Sequence, residues 1–192
     1  SPDQLRMCWH WMRDVNLAGK LPLVFFDEFD ASLGDQPFGW LKYFLAPMQD
    51  GEFQDGEAVH PLGKAILVFA GGTAESFARF YPDAQSGAAY ERFRAAKGPD
   101  FVSRLRGYVN VLGPNLVDDK DVFFVIRRAM MLRGFLLRSG PELFTREKQE
   151  LRIDEAVLRA LINVPLYRHG VRSMQAVVEM STVAGHKRLT PA

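Results

Sequence analysis

Two short, uninterrupted apolar runs constrain this chain more than any other feature. Leu23-Val24-Phe25-Phe26 follows Pro22 and stops abruptly at Asp27-Glu28. Ala65-Ile66-Leu67-Val68-Phe69-Ala70 stops at Gly71-Gly72-Thr73. Runs of this length without alternation suit strands covered on both faces, as in a parallel sheet.

The segments around the runs fix an order of elements. Leu5, Cys8, Trp9, Met12 and Val15 recur at helical spacing, which predicts a helix over 2–18 that stops at Gly19. Trp40, Leu41, Phe44 and Leu45 predict a helix over 32–48, and residues 49–63 read as a loop or small hairpin. Residues 75–100 are polar and irregular, 101–106 read as a short helix, and Tyr108 to Leu112 form a third strand candidate closed by Gly113-Pro114. Beyond 113–119 the pattern becomes helical. A helix is expected over 122–137, a second capped by Asp154 and running to Ile162, and a third from about Gly170–Ser173 to Val183. The fold class is therefore α/β followed by an all-helical part, with domains at 1–114 and 115–192.

Composition excludes several functions. The 192 residues carry a formal net charge of +1, so no global field attracts nucleic acid or basic partners. Arg127, Arg128, Arg133 and Arg138 lie on a strongly apolar helix without a basic-aromatic stripe, and they read as snorkelling side chains. Trp9, Trp11 and Trp40 read as core or interface residues. Cys8 is the single cysteine, which rules out an intrachain disulfide and fits a reducing, cytoplasmic setting. His10, His60, His169 and His186 are scattered without zinc-ligand spacing, so no structural zinc site is expected. No apolar run approaches the length of a membrane span.

The candidate chemistry sits at the strand ends. In open α/β sheets, ligands bind beyond the carboxyl ends of the strands. Two adjacent carboxylates there can divide labour: Asp27 to hold a hard cation through water, Glu28 to orient an attacking water. Asp30 reads as a helix cap or loop contact. Thr73 is the polar candidate at the second strand end, able to touch a phosphate or the attacking water; the alternative is a turn using glycine for unusual backbone angles. Arg104, in Asp100-Phe101-Val102-Ser103-Arg104-Leu105-Arg106, reads as an exposed arginine able to reach a neighbouring subunit, with Arg106 as its competitor. Arg172 falls at a helix N-terminus, where the dipole disfavours a cation by roughly 0.3–1 kcal/mol unless an anion sits nearby.

Taken in order, these segments resemble the AAA+ family, and within it the Clp-type unfoldases. Leu23-Val24-Phe25-Phe26-Asp27-Glu28 looks like a Walker B strand. Leu45 to Gly56, reading LAPMQDGEFQDG, is similar to the stretch where a helix ends at an acidic-glycine turn before the sensor strand. Ile66 to Thr73 stands at sensor 1, residues 100–105 at the arginine-finger box, and Gly170-Val171-Arg172 at sensor 2. The resemblance implies ATP hydrolysis driving conformational work, with ATP and Mg2+ as cofactors. Asp27 is then the magnesium residue, Glu28 and Arg104 are catalytic, and Thr73 and Arg172 contact nucleotide. It implies self-association into a ring and a protein as possible substrate, while the missing basic-aromatic stripe and long apolar run argue for no nucleic-acid or membrane partner. The alternative is a degenerate, non-catalytic interaction module of the same ancestry.

The chain departs from the family pattern in one large respect. No G-x-x-x-x-G-K-[ST] occurs, so the loop that cradles phosphates is missing from these residues. The resemblance places it, and its strand, before the first helix, which makes this chain part of a longer protein, unable by itself to hydrolyse ATP. That strand would lie between the sensor-1 strand and Tyr108–Leu112. A rearrangement, or a segment of another chain, is expected to close the gap.

Overall fold

The computed structural model describes residues 1–145 and 150–191. Among them the chain is mixed α/β, with eight α-helices, one pair of parallel strands and one antiparallel hairpin. It divides into two compact units, Ser1–Val111 and Leu112–Ala192.

The first unit opens with α1 (Pro2–Leu17), started by a capping box in which the Ser1 hydroxyl receives the Gln4 amide. Strand β1 (Leu23–Asp27) follows, then α2 (Leu41–Gln49), the hairpin β2 (Glu52–Asp55) and β3 (Ala58–Pro61), and β4 (Ile66–Ala70). The unit continues with three short helices: α3 (Phe77–Phe80), α4 (Ala88–Ala95) and α5 (Gly98–Val102). The expected helix over 32–48 starts only at Leu41, because residues 32–39 form tight turns bridged between Leu33 and Gln36. The stretch expected to be irregular, 75–100, contains α3 and α4, held by Phe80 and Phe93 in the core.

Strands β1 and β4 pair in parallel register, Leu23 opposite Ile66 through Asp27 opposite Ala70. The inward side chains Phe26 and Phe69 stack at 5.3 Å and lead into a cluster of rings. Trp9 of α1 meets Phe26 at 5.5 Å, and Phe44 of α2 and Phe101 of α5 each meet Phe69 at 5.0 Å. Ring pairs at these separations add about 0.5–1.5 kcal/mol each beyond their buried area.

The outward face departs from expectation. The first run is expected to be covered on both faces, yet Leu23 is 63% exposed and Phe25 64%, and on the paired strand Ile66 is 48% and Val68 38% exposed. The helices of this unit all serve the single face that carries Val24, Phe26, Leu67 and Phe69. The third strand also fails to form. Residues 108–112 carry no strand among the described residues. Tyr108 instead stacks on Phe77 at 4.1 Å, and the Asn110 side-chain oxygen accepts the Phe77 amide at 2.8 Å. No rearranged segment of this chain closes the sheet: among the described residues β1 and β4 pair only with each other, and each keeps an open edge. A strand needs a partner for its backbone groups, and residues 108–112 are anchored through their side chains to α3 instead.

The second unit contains α6 (Phe124–Ser139), α7 (Glu155–Ile162) and α8 (Val171–Met180). Asp154 caps α7 as expected, accepting the Ala156 amide at 2.9 Å. The helices pack Leu132, Leu136, Met174 and Val178 into a core of their own. Isolated bridges, Phe144 to Leu151 and Ile153 to Leu189, interrupt the helical character. Arg128 does not snorkel. It is 1% exposed and donates to the carbonyls of Pro114 at 2.7 Å, Ile162 at 2.6 Å and Val164 at 2.5 Å. Arg133 and Arg138 do lie over rings, those of Phe144 and Phe135. Among the tryptophans, Trp9 is core and Trp11 is half-exposed at 52%.

Candidate functional site

The parallel pairing brings the two strand ends together. Asp27 stands opposite Ala70, so the Asp27-Glu28 pair and the Gly71-Gly72-Thr73 turn leave the sheet side by side. Asp27 and Glu28 are both exposed. The Asp27 carboxylate accepts the Glu28 amide at 3.1 Å. Glu28 adopts φ 52, in the left-handed region that residues with a Cβ seldom enter. A reversal here turns the chain sharply, and the Glu28 carbonyl accepts the Ala31 amide at 2.9 Å.

Asp30 is the organising residue of this corner. Its side chain is 2% exposed. It accepts the Gly72 amide at 3.1 Å, the Thr73 amide at 2.9 Å and the Thr73 hydroxyl. Asp30 is thus the loop contact anticipated for it, and it ties the end of β1 to the end of β4. The Thr73 hydroxyl gives its hydrogen to Asp30, so toward a ligand its oxygen acts as an acceptor. That geometry suits a water better than a phosphate, since phosphate oxygens themselves require donors.

The glycine pair has a steric reason. Neither Gly71 nor Gly72 has a positive φ, so unusual backbone angles do not explain them. A Cβ on Gly71 would stand 2.9 Å from Asp30 Oδ2 and 3.2 Å from the Phe29 ring, whereas one on Gly72 would meet nothing within 4 Å. Close approach of the buried carboxylate dictates the first glycine.

Arg104 differs from its sequence reading. It lies past the end of α5, half-buried rather than exposed, and no strand follows it among the described residues. Its guanidinium donates to the Asp100 carbonyl and to the Gln49 side chain at the end of α2, while its Nε is buried without a hydrogen-bond partner among the described residues. Arg106 is exposed. Arg172 belongs to the second unit, exposed on the first turn of α8 behind Gly170 with φ 56.

Spacing missed a second polar cluster. His10 of α1, Asp55 at the end of β2 and His60 of β3 come together, each offering a ligand atom within 4.8 Å of the others. Hairpin pairing creates it: Phe53 stands opposite His60, and Phe53 is the residue against which α1 packs His10. The Asp55 carboxyl is held below the usual carboxylate range, chiefly by its hydrogen bond to His10 and then by that to Arg6.

No protein-family model matches the chain, and a search of curated proteins finds no relative. No helix of the described residues is long and apolar enough to cross a membrane.

Proposed function

We propose that this chain is the carboxylate-bearing part of a AAA+ ATPase module, in which ATP binding and hydrolysis drive conformational work in an oligomeric ring. The observation that carries the reading is the corner where Asp27-Glu28 leaves a parallel strand beside the Thr73 turn, with Asp30 clamping the two. Ligands of open α/β sheets bind at such carboxyl ends.

Exposed, adjacent carboxylates are the donor set a hard cation takes, and two of them suit an ion that keeps most of its waters. Asp27 would hold magnesium, which when bound neutralises charge on the nucleotide phosphates. Glu28 would orient the attacking water, and the Thr73 oxygen is available to the same water. Arg104 would serve a neighbour's nucleotide after release from Gln49. Arg106, already exposed, is its competitor. Arg172, on the helical unit, would answer to phosphate charge. The reading assigns the phosphate loop to residues outside these 192 and takes the first unit as the nucleotide-binding core and the second as the lid. A protein substrate and a cytoplasmic site belong to the same proposal.

Assays on the natural full-length polypeptide test it. Glu28→Gln should retain ATP binding and lose turnover by at least about a hundredfold, the scale of a positioned general base. Near-normal hydrolysis by that variant overturns the reading. The isolated chain should show no ATP turnover.

The exposed apolar sheet face favours a second reading, a non-catalytic interaction module. The two separate on one fact: the interaction module predicts a full-length protein without a phosphate loop and without nucleotide-dependent assembly.

A further inference from the structure

We propose that His10, Asp55 and His60 form a binding site for a divalent transition cation of the zinc class, which locks α1 to the β2–β3 hairpin.

Three different elements of one compact unit supply the donors. The His10 Nε2 and Asp55 Oδ2 atoms stand 2.8 Å apart, and all three ligand atoms lie within 4.8 Å of one another. A zinc ion with bonds of about 2.0–2.1 Å has its ligands about 3.3 Å apart. Side-chain rotation that opens the His10–Asp55 pair slightly and closes the wider separations by up to about 1.5 Å completes the set. Two imidazoles and one carboxylate are borderline ligands that select zinc, nickel or cobalt over magnesium or calcium. Three protein donors leave a further position for water.

The rings are brought together before any ion arrives. Phe53 is 4% exposed and touches both imidazoles, edge-on to His10 at 4.8 Å and stacked on His60 at 5.2 Å. The two imidazoles meet edge-on at 5.1 Å. All three ligands are half-buried, which shields them partly from water while leaving a path for entry.

The local charge also admits a cation. Arg6 and Arg13 adjoin the site, and each has an aspartate of its own. Arg6 pairs with Asp3 as well as with Asp55 Oδ1 at 3.0 Å, and Arg13 pairs with Asp14 at 2.8 Å. Three carboxylates thus face two guanidiniums. Arg6 bonds the oxygen of Asp55 opposite to the proposed metal ligand, the position from which outer-shell partners orient a carboxylate. Arg13 Nη1 contacts His60 Nδ1 at 3.3 Å, so this guanidinium is the cation nearest the second imidazole.

The test titrates Zn2+ alone into the chelator-treated 192-residue chain by calorimetry, with Co2+ as a spectroscopic stand-in. The expected result is one equivalent bound, a Co2+ spectrum of low-coordinate nitrogen and oxygen ligation, and a rise in Tm. Asp55→Asn and His60→Ala should each weaken binding by at least about tenfold, the lower bound known even for outer-shell partners. His169→Ala should leave it unchanged. Arg13→Gln, which removes a neighbouring cation and no ligand, should bind at least as tightly as the parent, and melting of metal-free His60→Ala checks that this variant is folded. Absence of saturable binding, binding indifferent to Asp55→Asn and His60→Ala, or binding lost in His169→Ala overturns the proposal.

Discussion

Asp30 accepts both the backbone amide and the hydroxyl of Thr73 while its own side chain is 2% exposed, so one buried carboxylate joins the ends of two parallel strands. The corner that carries the candidate chemistry is therefore held by a residue that does not face solvent. Asp30→Ala should leave the Gly72 and Thr73 amides without their acceptor. Stability should fall by about 1–3 kcal/mol, the cost of orphaning buried partners, in urea unfolding. Asp30→Asn should recover part of that loss, because the amide oxygen still accepts.

Gly98 starts α5 with Phe93 pressed against it. A Cβ there would stand 2.3 Å from the ring, which itself is fully buried. Alanine ordinarily strengthens a helix, yet Gly98→Ala should destabilise by about 1–3 kcal/mol through overpacking. Gly72→Ala, which meets open space, is the control and should change stability little.

Arg128 is the only side chain among the described residues that links the Pro114 turn, α6 and the end of α7 through carbonyl hydrogen bonds. Its cation is further covered by the Phe124 and Tyr167 rings at 5.1 and 5.3 Å. Arg128→Met keeps the bulk and removes every donor. Calorimetric unfolding should show the second unit weakened by at least about 2 kcal/mol, since each orphaned carbonyl costs about 1–3 kcal/mol.

Asp121 titrates far below a free carboxyl, at about 2, because Arg127 donates two hydrogen bonds of 2.6 Å to it. The folded state then binds fewer protons than the unfolded state near pH 3. The pair's contribution is fully present above about pH 4, the unfolded carboxyl value. It is lost as pH falls toward 2. Melting curves of Asp121→Asn should be lower than the parent at neutral pH and should converge with it in acid.

The bare sheet face predicts behaviour in solution. Phe25→Ser and Val68→Thr replace side chains 64% and 38% exposed. They should reduce binding of an apolar dye and light scattering at high concentration, with stability changed by no more than about 0.5 kcal/mol. An unchanged scattering profile would show that this face does not mediate association.

Much of the corner was readable before the fold. The abrupt change from Phe26 to Asp27-Glu28 marks a strand end whatever surrounds it, and Asp154 carries its capping role in its own short side chain. The glycine pair was legible as a turn but not as a contact, because the carboxylate that excludes a Cβ from Gly71 lies forty-odd residues away in sequence. Arg104 was read as exposed because a sequence shows a charge and not the glutamine that meets it.

By itself the sequence determined the two strands, the helices with strong periodicity, and the pairing of acids with a glycine turn at the strand ends. Those depend on local spacing, on the side-chain alternation of a strand and on capping residues a few positions away. Only the tertiary structure decided which face of the sheet is covered, that residues 108–112 remain outside it, and that His10, Asp55 and His60 meet. Coverage and convergence depend on which segments are present to pack and in what register the hairpin closes, and no local spacing encodes either.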